Sequence, residues 1–139
     1  MFVQYQIEND LSADEFISIL EKSGLAERRP TADTNRIETM VKNANLILTA
    51  RVEDTLVGVA RSITDFSFCT YLSDLAVDKK HQSQGIGKAL IKKTWEAAPL
   101  AKLILLAAPA ATTYYPKMGM DKHPFCFILD DGDNINSAQ

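Results

Sequence analysis

No run of about 18 apolar residues exists in this chain, so no segment is suited to cross a membrane as a helix. Cysteine is scarce. Cys69 and Cys126 are the only two, they form no CxxC pair, and they are too few for a disulfide scaffold. A reducing compartment, the cytoplasm, is therefore expected. His81 and His123 have no His or Cys partner at ligand spacing, so no metal is expected. An excess of positive charge is missing as well. Lys and Arg total 15 against 18 Asp and Glu, a net charge of −3, which argues against nucleic acid as the main partner. Met1-Phe2-Val3-Gln4-Tyr5 has neither the basic region nor the long apolar segment of a secretory signal. There is no internal repeat and no low-complexity block. What remains is a chain of 139 residues with 46% hydrophobic content, enough for one domain with an ordinary core.

The most informative stretch is Gln82-Ser83-Gln84-Gly85-Ile86-Gly87-Lys88-Ala89-Leu90, which follows a strand-like run and opens a helix-like one. N–H groups at a helix start have no partner within the helix, and the helix dipole adds positive potential there. Glycine removes side chains that would hold an anion away. The segment is therefore suited to carry a pyrophosphate on bare main chain. Two nucleotide-binding loops fail against these letters. The Walker loop needs glycine where Gln82 stands and Ser or Thr where Ala89 stands. The dinucleotide fingerprint needs a third glycine where Leu90 stands.

Periodicity supplies the surroundings. Phe2 to Ile7 alternates as an opening strand. Ser12-x-x-Glu15 is a capping box, Phe16, Ile17 and Leu20 share a helical face, and Gly24 ends that helix. Glu27-Arg28-Arg29-Pro30 reads as a connector, and Thr31 to Ala44 as a second helix. Leu46 to Val52 and Leu56 to Ile63 form a hairpin around Glu53-Asp54-Thr55. Phe68 to Val77 is the next strand, and Gly85 to Ala98 a helix stopped by Pro99. Lys102 to Ala107 reads as a strand buried on both sides. A short helix follows Pro109, and Phe125 to Leu129 makes a last strand.

Three blocks in this order carry a family resemblance. Gln82-Ser83-Gln84-Gly85-Ile86-Gly87 fits the spacing Gln/Arg-x-x-Gly-x-Gly/Ala. Upstream stands Tyr71-Leu72-Ser73-Asp74-Leu75-Ala76-Val77-Asp78, and downstream Ala111-Thr112-Thr113-Tyr114-Tyr115-Pro116-Lys117-Met118-Gly119-Met120. Together they resemble the GNAT superfamily of acetyl-coenzyme A-dependent N-acetyltransferases. The likeness is specific over residues 69–120 and one of element order over residues 1–68. It implies an α/β (α+β) fold: a mixed, strongly twisted sheet flanked by helices, in the order β-α-α-β-β-β-α-β-α-β. It implies a single domain over residues 1–130, with a polar tail at residues 131–139 expected to be disordered.

The resemblance also implies a reaction. Acetyl-CoA would give its acetyl group directly to an amine on a small molecule or peptide, in a ternary complex. The pantetheine arm would pair with main-chain groups of Leu75, Ala76 and Val77. The pyrophosphate would rest on N–H groups of Gln82, Ser83, Gln84, Gly85, Ile86, Gly87 and Lys88, with Lys79, Lys80 and Lys88 adding positive potential. Tyr115, four residues before Gly119, stands where the family places its general acid; Tyr114 is the adjacent candidate, with core packing as its other reading. Asp74 is expected either as the general base or as a structural residue bonded to Arg61, Ser73 or a nearby loop. A water relay is the alternative to any single base. Arg28 and Arg29 are either contacts for a substrate carboxylate or an exposed basic loop. Cys69 is expected to be a small buried residue. Little chain is left after Gly119 for the family's later strands, so the sixth strand must be short or irregular, and the acceptor groove is open or completed by a second subunit. A non-catalytic acyl-CoA-binding domain remains the competing function.

Overall fold

The computed structural model describes residues 2–137. Its elements are β1 (Gln4–Ile7), α1 (Ala13–Ser23), α2 (Thr34–Asn43), β2 (Leu46–Val52), β3 (Thr55–Thr64), β4 (Cys69–Val77), α3 (Ile86–Ala97), β5 (Lys102–Leu105) and α4 (Tyr114–Lys117). Short 3-10 turns lie at Leu25–Arg28, Lys79–His81, Pro109–Ala111 and Gly132–Ser137. The strands form one sheet in chain order, antiparallel except for the parallel pair β4 and β5. A parallel pair needs a long crossover, which α3 supplies. By contacts the chain divides into two compact units, residues 1–106 and 107–139. The first holds the sheet with α1 to α3, and the second holds α4. Among the described residues, no helix is long and apolar enough to cross a membrane.

Local chemistry sets the element ends. Ser12 accepts from the Glu15 N–H at the start of α1, and Gly24 takes the left-handed conformation (φ 86°) that closes it. Glu53 and Asp54 both adopt positive φ in the two-residue turn between Val52 and Thr55.

Two bulges decide which side chains meet which helices. In the β2–β3 pair, Ala50 faces Gly58 while Arg51 faces Leu56, so Val57 is the extra residue. In the β3–β4 pair, Arg61 faces Asp74 while Ser62 faces Leu72, so Ser73 is the extra residue. Each insertion moves the following residues to the other face. Val59 and Ala76 pack with Phe16, Ile19, Leu20, Ile37 and Val41 under α1 and α2. Leu46, Leu48, Val57 and Leu72 pack with Ile86 and Leu90 of α3. Gly58 allows the second packing to be close. A Cβ there would lie 3.1 Å from both Ile86 Cγ2 and Leu90 Cδ1.

Three expectations from the sequence need correcting. The strand expected at residues 102–107 to be buried on both sides is a four-residue edge strand with alternating exposure, and Ile104 is 43% exposed. An unbroken apolar run does not report which of its sides is covered. The strand expected at Phe125–Leu129 is absent: the sheet ends at β5, and Phe125, Phe127 and Leu129 are exposed. Alternation becomes a strand only where an edge pairs with it and a face covers it. Cys69 is exposed rather than buried, because it opens β4 at the rim of the sheet. Of the expected tail, Gly132–Ser137 forms a 3-10 turn, and residues 138–139 lie outside the described residues.

Candidate functional site

β4 carries the first part of the site. Its pairing with β5 covers Cys69 to Leu72 only, whereas its pairing with β3 continues to Val77. Beyond the Ser73 bulge, one edge of β4 is therefore open, pairing with no strand among the described residues. In an antiparallel ladder, alternate residues turn both main-chain groups toward the same neighbour. The Asp78 N–H bonds to Val57 O on β3 at 2.9 Å, which places Ala76 on the β3 side as well. Leu75 and Val77 face the open edge. Of the three residues expected to pair with a pantetheine arm, Ala76 is thus corrected: its N–H and C=O are turned into the sheet.

The glycine-rich loop forms the second part. Gln82 Nε2 donates to Val77 O at 3.0 Å and ties the loop back to the strand end. Ser83 and Gly85 take positive φ, 64° and 85°. Gly85 is the N-cap of α3, with no side chain closing the helix, and Ala89 N is the first donor to bond back, to Gly85 O at 3.0 Å. The N–H groups of Ile86, Gly87 and Lys88 precede it and have no partner in the helix. Lys88 is exposed in this first turn, where a cation is unfavourable to the helix dipole and a bound anion would offset it. Lys79 has a different setting. A Cβ on Gly24 would lie 3.3 Å from Lys79 Nζ, so this ammonium sits against the C-terminal end of α1.

Asp74 is where the bulge matters most. The insertion at Ser73 turns Asp74 toward the α1–α2 layer, where it is fully buried. Its Oδ1 accepts from Arg29 Nε and its Oδ2 from Arg61 Nε. Arg61 also donates to Met40 O and Ser73 Oγ, each at 3.0 Å, and lies over the Phe16 ring. Both carboxylate oxygens are thus held by guanidinium groups, which is the structural alternative for Asp74. Arg29 belongs to this network, while Arg28 enters it only through its carbonyl, bonded by Arg29 Nη1 at 2.9 Å.

The second unit carries the tyrosines. Tyr114 and Tyr115 follow one another at the start of α4 with rings edge-on, centroids 5.2 Å apart. Tyr114 is 40% exposed, so core packing does not account for it, and Tyr115 is partly buried. Burial raises the pKa of both phenols, and the neighbouring Tyr114 raises that of Tyr115 further. Gly119 takes φ 94°, a conformation that favours glycine. His123 accepts from the Phe125 N–H. Among the described residues, no group of three or more His, Cys, Asp and Glu is placed to hold a metal ion.

Sequence reasoning missed Gly58 and the pairing of Arg29 with Asp74. A lone glycine inside a β-rich run signals close backbone approach and was the available clue to the first. Nothing local points to the second, whose partners stand 45 positions apart.

Comparison with known proteins agrees with this architecture. The family model described as the acetyltransferase (GNAT) domain matches residues 13–124. The chloroplastic GCN5-related N-acetyltransferase 2 of Arabidopsis thaliana is 32% identical over 75 residues, 52% of this chain and 29% of that protein. A protein named histone acetyltransferase from Glycine max is 33% identical over 72 residues, 50% of this chain and 31% of that protein. The chain thus spans about a third of the length of these plant relatives. Among solved structures, a GNAT-family acetyltransferase from Streptococcus pneumoniae superposes with a TM-score of 0.73 at 18% identity, covering 94% of this chain and 100% of that one. The enzyme AAC(6')-Iy, solved with the bisubstrate analogue CoA-S-monomethyl-acetylneamine, gives 0.71 at 10% identity, covering 94% and 99%. These structural likenesses show the fold, and the family match covers most of the chain. The chain belongs to the GNAT acetyltransferase family.

Proposed function

We propose that the protein transfers the acetyl group of acetyl-CoA to a primary amine, on a small molecule or peptide, in a ternary complex. One observation carries this reading. An open strand edge at Leu75 and Val77 is joined through Gln82 to an uncapped helix start at Gly85. The edge suits the amide-bearing pantetheine arm, which can pair with it as an added strand. The helix start suits the pyrophosphate. Lys88 supplies charge there, whereas the exposed Lys79 has its ammonium beside Gly24 at the end of α1.

The chemistry follows from ordinary pKa values. A primary amine near 10.4 is neutral in only about one molecule in 2,500 at pH 7, so its proton must be removed before attack. Asp74 is poorly placed to take it, because two guanidinium groups hold its oxygens. The proton therefore leaves through water. The neutral amine adds to the thioester carbonyl, and a main-chain N–H at the open edge of β4 stabilises the oxyanion. Collapse expels coenzyme A as a thiolate. Tyr115 is assigned to meet that sulfur, on its segment's resemblance to the family. A phenol near 10 giving its proton to a thiolate near 8.5 is uphill by roughly 2 kcal/mol. Burial raises the Tyr115 phenol and steepens this. A hydrogen bond to sulfur is thus its main contribution. The free cysteines Cys69 and Cys126 fit a reducing compartment such as the cytoplasm.

The test is to mix the protein with acetyl-CoA and a panel of amines and to follow free thiol release. Thiol release that depends on one class of amine is expected. Tight acetyl-CoA binding with no turnover on any amine would replace the enzyme by an acyl-CoA-binding domain.

A further inference from the structure

A β-bulge leaves main-chain groups that the ladder does not satisfy, and these must find partners elsewhere. In β4 the extra residue is Ser73, and its carbonyl oxygen accepts from Arg29 Nη2 at 2.8 Å. Arg29 Nε donates to Asp74. Its Nη1 donates to Arg28 O at 2.9 Å, closing the group onto its own connector. Three of the five guanidinium N–H groups are thereby used, and the side chain is 22% exposed. One planar group spans two successive residues of β4 at the point where that strand has left β5. A rigid fork fixes two acceptors relative to each other, which a lysine ammonium on a flexible stem does not. Leu75, the first residue facing the open edge, comes next in the chain.

We propose that Arg29 is a positioning residue for the coenzyme A edge. By bridging Ser73 O and Asp74 it sets the direction in which Leu75 and Val77 present their main-chain groups. This gives the connector between α1 and α2 a hold on the cofactor edge, a role different from both the acceptor-carboxylate contact and the exposed basic loop weighed for Arg29. The proposal rests on the acetyl-CoA reading above.

The test compares wild type, Arg29→Met and Arg29→Lys by hydrogen exchange and coenzyme A affinity, with the melting temperature and the KM for the amine recorded alongside. In the ligand-free protein, hydrogen exchange is followed at the Asp74 and Ala76 amides, which face β3. Coenzyme A affinity is measured by calorimetry. In Arg29→Met these amides should exchange about tenfold faster while those of β2 stay unchanged, and the Kd for coenzyme A should rise about tenfold. Arg29→Lys should recover part of both. Unchanged exchange at Asp74 and Ala76 would overturn the proposal. So would a lower melting temperature with unaltered coenzyme A affinity, or a raised KM for the amine alone. If Arg29→Met does not fold, Arg29→Lys is read in the same assays, and wild-type values in both overturn the proposal. A wild-type protein that binds no coenzyme A would sink the acetyl-CoA reading instead, while the exchange measurement still decides whether Arg29 holds the edge.

Discussion

Replacing Asp74 with asparagine separates the two roles open to it. The side chain is fully buried between Arg61, 6% exposed, and Arg29, 22% exposed. Asparagine keeps one oxygen that can accept from one guanidinium, but its NH2 group then meets the donors of the other. Removing one partner of a buried ion pair costs about 3–5 kcal/mol. The remaining hydrogen bond and the partial exposure of Arg29 favour the lower end, about 3 kcal/mol. In a domain of this size each kcal/mol lowers Tm by about 3–5 °C, so a loss of about 10–15 °C is expected. The assay is a thermal scan at pH 7, paired with kcat and KM measured well below the variant's midpoint. A structural Asp74 predicts the Tm loss, with the acid limb of the pH–rate profile retained. The opposite pattern would refute the reasoning: Tm within about 2 °C of wild type, kcat lower by the factor of 10²–10⁴ typical of a lost base, and the acid limb gone.

Gly58→Val should destabilise the protein by about 1–3 kcal/mol through overpacking against Ile86 and Leu90, more than the roughly 0.5–1 kcal/mol that a side chain gains over glycine in a strand. Because those contacts seat the first turn of α3, coenzyme A affinity should fall too, and an unchanged melting temperature would show that α3 does not press on Gly58. Glu8 is held at a pKa of about 2, first by its hydrogen bond to Arg51 and against the opposing effect of burial. Its folded value lies below its unfolded one, so its contribution is complete above about pH 5 and is lost as pH falls through about 2. Denaturant titrations should lose about 2–3 kcal/mol over that range, and Glu8→Gln should remove this part of the slope. Tyr115→Phe should lower kcat about tenfold or more and leave the Kd of coenzyme A within about twofold, and an unaltered rate would take Tyr115 out of the mechanism.

Most of the sheet was legible because its signals are local. The Ser12 cap, Gly24 and the Glu53-Asp54 turn act on neighbouring main chain and are found where the letters put them, although the Glu15 carboxylate goes to Arg51 and does not complete the expected box. The glycine loop was legible for the same reason, since an uncapped helix start depends on a few successive residues. The bond of Asp74 to Arg61 was one of two readings open to it, but the choice between them was not legible, because it depends on a one-residue insertion that reverses which layer the side chain enters. Its partners come from a connector and from β3, far away in sequence. Ala76 failed for a related reason: facing is a matter of ladder phase, and phase is set by the neighbouring strand. The run at Phe125–Leu129 has a strand's letters without a strand's neighbour.

The bond from Gln82 Nε2 to Val77 O closes a ring of covalent and hydrogen bonds over residues 77–82, the first part of the loop between strand and helix. Free loop residues cost about 1–2 kcal/mol each in backbone entropy when a ligand orders them. The part already closed on itself has met that cost during folding, so less of the interaction energy with coenzyme A is spent on ordering it. Binding should therefore be quick, without a slow rearrangement following encounter. The same ring couples affinity to temperature: warming that frays the Gln82 contact should weaken coenzyme A binding before the sheet itself melts.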